Sequence, residues 1–130
     1  MAVRRRAYGV LTVSIVSYLF TVPHAAEDFF YGEAAALGLS NAVLAGALAA
    51  LYALQGIALV LSAHDRRRGH LLHVGVGLVW FIGAGLFHLP DVFTSDQYRT
   101  GLLSRLLVLG LMGITGMLAM VGMRAASSTR

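Results

Sequence analysis

"LGLSNAVLAGALAALYALQGIALVLSA", residues 37–63, decides the class of fold, because its 27 residues include no charged side chain. A transmembrane helix needs about 20 apolar residues to cross the hydrocarbon core of a bilayer. The stretch is therefore long enough to span a membrane as one helix. It also carries small residues at four-residue intervals, which let helix backbones approach closely: Ala42, Gly46 and Ala50.

Three further apolar stretches share this character. They cover residues of about 7–30, 70–89 and 102–123, and the first is long enough only if its helix continues through Pro23. The chain is 58% hydrophobic, well above the level of a soluble domain. Because the connections are short, neighbouring helices must be antiparallel. We predict an all-α, integral membrane four-helix bundle that forms a single membrane domain over residues 1–130.

The first stretch follows "MAVRRR" and therefore also has the outline of a secretory signal peptide. Cleavage after Ala26 or Ala25 would place His24 or Pro23 at the −3 position, where small residues are required. We therefore expect this helix to be retained. The chain has no Cys, which excludes disulfides and thiolate metal sites.

The arginines predict the orientation of the bundle. All ten basic residues are arginines, and eight flank one side of the predicted membrane while Arg99 and Arg105 lie toward the other. The eight are Arg4, Arg5, Arg6, Arg66, Arg67, Arg68, Arg124 and Arg130. Because cytoplasmic loops are enriched in arginine, we expect both termini in the cytoplasm and a multi-pass protein of the plasma membrane. Membrane topology then accounts for the basic charge. We therefore predict the lipid bilayer, and no nucleic acid, as a partner.

The acidic residues fall on the opposite, outer side. Five of the six are there: Glu27, Asp28, Glu33, Asp91 and Asp96. Three of these belong to similar stretches, "VPHAAEDFF" at residues 22–30 and "LFHLPDVF" at residues 86–93, which share His-x-x-acid-x-Phe. A helix follows each stretch. We read the chain as two tandem helical hairpins related by a pseudo-twofold axis along the membrane normal.

Such an axis would bring both motifs to one outward-facing pocket. The predicted metal ligands are His24, Glu27, Asp28, His88 and Asp91. Imidazole and carboxylate are the ligand types of zinc, manganese and non-haem iron, so we expect a divalent metal. A carboxylate left over from coordination would act as general base, which makes Glu27, Asp28 and Asp91 the candidate catalytic residues. The leading function is a membrane-embedded metal-dependent enzyme or metal-handling protein.

Two other functions stay open. His24 and His88 lie at equal depth and would serve as axial ligands of a haem, although two nearby acids suit haem propionates poorly. Alternatively, the chain is a non-catalytic subunit or lipid-binding protein that forms a homo-oligomer or joins a larger membrane complex through its glycine-rich helix faces.

The residues "HAAED", 24–28, resemble the motif of the HXXEE family of small multi-span membrane proteins, with Asp28 at the last motif position. His88 together with "YRTG", residues 98–101, is similar to that family's second His region. The resemblance covers two short patches of the chain. It implies a multi-helix membrane protein with a site at these residues, and it implies no particular reaction.

Overall fold

The computed structural model describes residues 2–94 and 98–129, and the regular elements within them are five helices. In chain order these are α1 (Ala2–Phe30), α2 (Glu33–Ala36), α3 (Asn41–Ala63), α4 (Arg67–Thr94) and α5 (Leu102–Ala126). All except the single-turn α2 are long and apolar enough to cross a membrane. The predicted all-α bundle of four membrane-spanning helices is therefore confirmed.

Two differences from the predicted helix boundaries involve glycine and proline. The second span begins at Asn41 instead of Leu37, because Gly38 adopts a left-handed conformation with φ of 69° and the Ser40 side chain caps the new helix by accepting a hydrogen bond from the Val43 N–H at 3.2 Å. The third span continues through Pro90 to Thr94, as the first continues through Pro23 to Phe30. A proline inside a helix costs one backbone hydrogen bond and does not have to end the helix.

The helices follow one another around the bundle in the order α1, α3, α4, α5. The most extensive interface joins α4 to α5, and α5 also packs along α1, whereas α1 and α4 lie across the bundle from each other and touch little. Glycines permit the close α4–α5 approach: a Cβ on Gly77 would lie 2.7 Å from the Thr115 carbonyl oxygen, and one on Gly122 would lie 2.9 Å from that of His70.

Helix α3 is the least embedded of the four spans. Only three of its residues are buried, namely Gln55, Ala58 and Ser62. Gln55 attaches it to α1, since its amide nitrogen donates to the Ser14 carbonyl at 3.1 Å and to the Ser17 hydroxyl at 2.9 Å. A membrane interior favours such polar bridges between helices.

The two ends of the bundle differ in charge. The beginning of α1, the α3–α4 turn and the end of α5 meet at one end, where Val10 packs with Leu118 and Ala125, and where the Arg67 side chain donates to the Ala126 carbonyl at 3.3 Å. We name it the Arg-rich end. The end of α1, α2, the end of α4 and the beginning of α5 form the acidic end, which carries Glu27, Asp28, Glu33 and Asp91. Asp96 and Arg130, which also contributed to the predicted orientation, lie outside the described residues.

The predicted internal repeat is compatible with this arrangement but is not tested by it. A pseudo-twofold axis would relate α1 to α4 and α3 to α5, and each of these pairs does lie across the bundle. The two hairpins are not packed alike, however, because the α4–α5 interface is far more extensive than the α1–α3 interface. The repeat therefore stays a prediction.

Candidate metal centre

Three buried side chains converge at the acidic end. His24 and Asp28 come from α1 and His88 comes from α4, with 1%, 7% and 5% of their surfaces exposed. The Asp28 carboxylate lies between the imidazoles, with Oδ2 3.7 Å from His24 Nε2 and Oδ1 3.6 Å from His88 Nε2. Each residue offers a ligand atom within 4.8 Å of the other two. Ligands bound to one zinc ion at about 2.0–2.1 Å lie roughly 3.3 Å apart, so the group needs only small shifts to hold a metal.

Helical periodicity explains why these residues lie on buried faces of their helices. The buried polar face of α1 recurs every three or four residues: Ser14, Ser17, Thr21, His24 and Asp28. This face stays in register past Pro23 because the helix continues through the proline. On α4, His88 is buried between Ala84 and Val92, one turn to either side. The His24 and His88 rings meet edge to face, with centroids 4.6 Å apart.

Arg99 is the main electrostatic partner of this cluster. Its side chain is 6% exposed, with Nη1 2.9 Å from Asp28 Oδ1 and 3.7 Å from Glu27 Oε2, and with Nη2 donating to Glu33 Oε2 at 2.9 Å. It thereby ties together the end of α1, the start of α2 and the turn before α5. Arg99 has a φ of 45°, a left-handed conformation that costs a non-glycine residue about 1–3 kcal/mol, and these ion pairs stabilise it.

The contact between Arg99 and His88 fixes the proton of that imidazole. Arg99 Nη2 lies 3.3 Å from His88 Nδ1, and a guanidinium only donates hydrogen bonds. His88 Nδ1 therefore accepts, and its proton is on Nε2, which faces Asp28. A metal bound at Nε2 would require the proton to be on Nδ1, which is the atom that accepts from Arg99. Arg99 and a metal ion thus compete for both His88 and Asp28.

Neighbouring groups complete the electrostatics. Glu27 Oε1 accepts hydrogen bonds from the Ser104 hydroxyl at 2.7 Å and the Thr100 hydroxyl at 3.3 Å, so part of its charge is satisfied by α5 and the preceding turn. Burial raises the pKa of Tyr98 to about 12, so this neighbour of Arg99 is an uncharged phenol. Three carboxylates therefore share the one guanidinium of Arg99 in this group, and a bound cation would complement the excess of carboxylates.

The structure does not bring all five predicted ligands together. His24, Asp28 and His88 form the group, and Glu27 is adjacent but turned toward Ser104 and Arg99. Asp91 is exposed and lies outside the group. Arg99 and Glu33 were missed as site residues. The signal that the sequence offered for Arg99 was its position on the acidic side of the membrane, away from the eight arginines of the other side.

The histidines at the Arg-rich end form a different arrangement. His70 and His73 are fully buried, and His70 Nε2 lies 3.2 Å from Asp65 Oδ1. Within residues 2–94 and 98–129, no second set of three potential ligands converges as closely as that at the acidic end. The edge-to-face contact of His24 and His88 also disfavours haem, because axial histidines must lie on opposite faces of a porphyrin.

A cavity of about 400 Å³ opens onto this centre. His24, Asp28, Glu33 and His88 line its polar end, and the remainder of its wall is apolar. Ligand sites in proteins commonly have this size and this combination of apolar walls with a few polar groups.

Comparisons of the chain with protein-family models, with curated proteins and with solved structures found no match.

Proposed function

We propose that this protein binds one divalent metal ion through His24, Asp28 and His88 and acts as a membrane-embedded metal-dependent enzyme or metal-handling protein. The observation that carries the proposal is the convergence of two imidazoles and a carboxylate, all buried, within 4.8 Å of one another. Buried ionisable groups are costly in a membrane domain and are retained where they serve a site or a pathway. The excess of three carboxylates over one guanidinium around Arg99 supports a cationic occupant.

The three proposed ligands restrict the choice of metal. Two histidines and one carboxylate are used by zinc, iron and manganese sites, and three protein ligands leave a coordination position for water or substrate. A metal of this kind supplies Lewis-acid chemistry and lowers the pKa of a bound water toward neutrality. Glu33 lines the same cavity and is not one of the three ligands, so it is the carboxylate best placed to accept a proton from substrate or water.

Metal content tests the proposal. We expect protein purified without chelator to contain about one equivalent of zinc, iron or manganese per chain, and metal-free protein to regain one equivalent on dialysis. Protein that contains no metal and takes up none from any of the three would contradict it. The accessory-subunit function would then take first place.

The proposed site faces outward from the plasma membrane, because the Arg-rich end belongs in the cytoplasm by the distribution of arginines. The absence of native Cys makes single-Cys labelling unambiguous. In intact cells, a membrane-impermeant maleimide should label Ala36→Cys, an exposed residue at the end of α2, and should not label Arg66→Cys until the cells are opened. Labelling of Arg66→Cys alone in intact cells would reverse the orientation.

A further inference from the structure

The cavity at the metal centre is a groove between α3 and α4. Helix α3 supplies a leucine on each of four successive turns: Leu44, Leu48, Leu51 and Leu54. Helix α4 supplies the opposite wall with Val79, Trp80, Gly83 and Phe87. From the first to the fourth leucine, the groove extends roughly 15 Å at 1.5 Å per helical residue. That is about half of a hydrocarbon core of ~30 Å, so the groove has the depth of one lipid leaflet.

The groove is open to the side of the bundle. Leu54, Val79 and Phe87 keep 44%, 56% and 50% of their surfaces exposed, although they line it. Both walls belong to helices that span the membrane, so the opening faces lipid. A hydrocarbon chain can therefore enter laterally from the bilayer.

The polar end of the groove selects among head groups. Its lining includes two imidazoles and two carboxylates, and Arg99 is not part of it, because that guanidinium contacts Asp28 and Glu33 from outside the groove. The two carboxylates share the Arg99 guanidinium, so the metal-free lining keeps an excess of carboxylate over cationic groups. An anionic head group would be repelled, whereas an uncharged or cationic head would be accepted. A second copy of the chain is a poor occupant, because an apolar helix face would leave the buried His24 Nδ1 without a hydrogen-bond partner.

From these observations we infer that the α3–α4 groove binds a single-chain amphiphile with an uncharged or cationic head, its chain along the leucines of α3 and its head at His24, Asp28 and His88. The inference rests on the proposed function in so far as the head lies at the proposed metal site. It names the substrate class of that site: a lipid-like molecule with an uncharged head, such as a long-chain alcohol or ester, because a bound divalent cation would exclude the ammonium head that the metal-free groove accepts.

Trp80 provides a direct readout. It is the only tryptophan in the chain, it lines the groove, and it is 7% exposed. In metal-free protein held in lipid nanodiscs, octadecylamine and octadecanol that carry a nitroxide midway along the chain should quench its fluorescence saturably. Octadecanoic acid with the same label should bind at least tenfold more weakly. Equal quenching by all three, or quenching that rises linearly without saturation, would overturn the inference.

Gly83→Leu tests the position of the chain. A Cβ at Gly83 meets nothing within 4 Å, so leucine fits the fold but fills the groove. Gly75→Leu is the matched control, because Gly75 is on the same helix, is equally open and does not line the groove. We expect Gly83→Leu to weaken amine binding at least tenfold and Gly75→Leu to leave it unchanged. Wild-type binding in Gly83→Leu would contradict the inference.

Loss of metal binding and loss of amphiphile binding can be distinguished. Gly83→Leu should keep one equivalent of metal while it loses the amphiphile, because it touches none of the three ligands. Metal-free wild-type protein should lack the metal while Trp80 remains quenched by octadecylamine, because the apolar walls are intact. If Gly83→Leu loses both ligands but retains the unfolding transition of the wild type, the groove and the centre are not separate sites and the inference is wrong.

Discussion

Replacing Arg99 with Gln should lower the free energy of unfolding by about 3–5 kcal/mol, the cost of leaving buried charges without their partner. Arg99 is the ion-pair partner of Glu27, Asp28 and Glu33, whose side chains are 14%, 10% and 21% exposed. Glutamine removes the positive charge and leaves three carboxylates together. The loss is measurable by titrating the protein with denaturing detergent and following helix content.

The same variant should bind metal more tightly. Removing Arg99 takes one positive charge from the group and frees both His88 Nδ1 and Asp28 Oδ1 from a competing cation. We expect at least a tenfold gain in zinc affinity, and zinc should restore part of the lost stability. Arg68→Gln, exposed at the Arg-rich end, is the control and should change neither quantity. A destabilised Arg99→Gln protein that zinc does not stabilise would mean that the cluster is a structural ion-pair network and nothing more.

Removing a ligand should have the second large effect. His24→Ala, His88→Ala and Asp28→Ala should each lower zinc affinity by at least a hundredfold, because each takes one donor from a set of three. Calorimetric titration of metal-free protein measures the change. Asp91→Ala should bind zinc as the wild type does, since that carboxylate is exposed and outside the group.

His73→Ala is the matched control for the two histidine variants. His73 is as deeply buried as His24 but lies on α4 near the Arg-rich end, 15 residues from His88 and so roughly 22 Å away along the helix. It should retain wild-type zinc affinity. If His73→Ala lowers the affinity as much as His24→Ala does, the loss reports damage to the fold and the assignment of ligands is contradicted.

The spans were predictable because charge-free apolar runs of helical length leave few alternatives in a bilayer. The helix breaks were harder. Gly38 lies inside a run without charged residues, and its left-handed conformation and the Ser40 cap separate α2 from α3. Pro90 suggested a helix end, yet α4 continues to Thr94. Apolarity alone does not mark a short break in a helix, and a helix can continue through a proline, so these bounds did not follow from the apolar pattern.

The shared His-x-x-acid motif includes both histidines of the group but has Glu27 and Asp91, and not Asp28, at its acidic position. A helix turns about 100° per residue, so the residue four places after a histidine lies about 40° from it and the residue three places after lies about 60° to the other side. On α1 the fourth place holds Asp28, which is buried beside His24. On α4 it holds Val92, and Asp91 at the third place is exposed. The centre therefore takes its carboxylate from α1 alone.

The contacts of Arg99 could not be predicted from the sequence, because its partners are distant along the chain. Glu33 is 66 residues away, and the pairing depends on the turn before α5 folding back over the ends of α1 and α2. In the sequence, Arg99 counted only as one of two arginines on the acidic side. The structure makes it the residue that joins three helix ends.

X-ray absorption at the zinc edge of the zinc-loaded protein tests the central claim most directly. Two imidazole nitrogens should appear at about 2.0–2.1 Å and carboxylate or water oxygens at about 2.0–2.2 Å. His88→Ala, loaded at a zinc concentration high enough to offset its weaker binding, should show one imidazole fewer. A wild-type spectrum with only oxygen ligands, or one identical to that of His88→Ala, would contradict a metal centre at His24, Asp28 and His88.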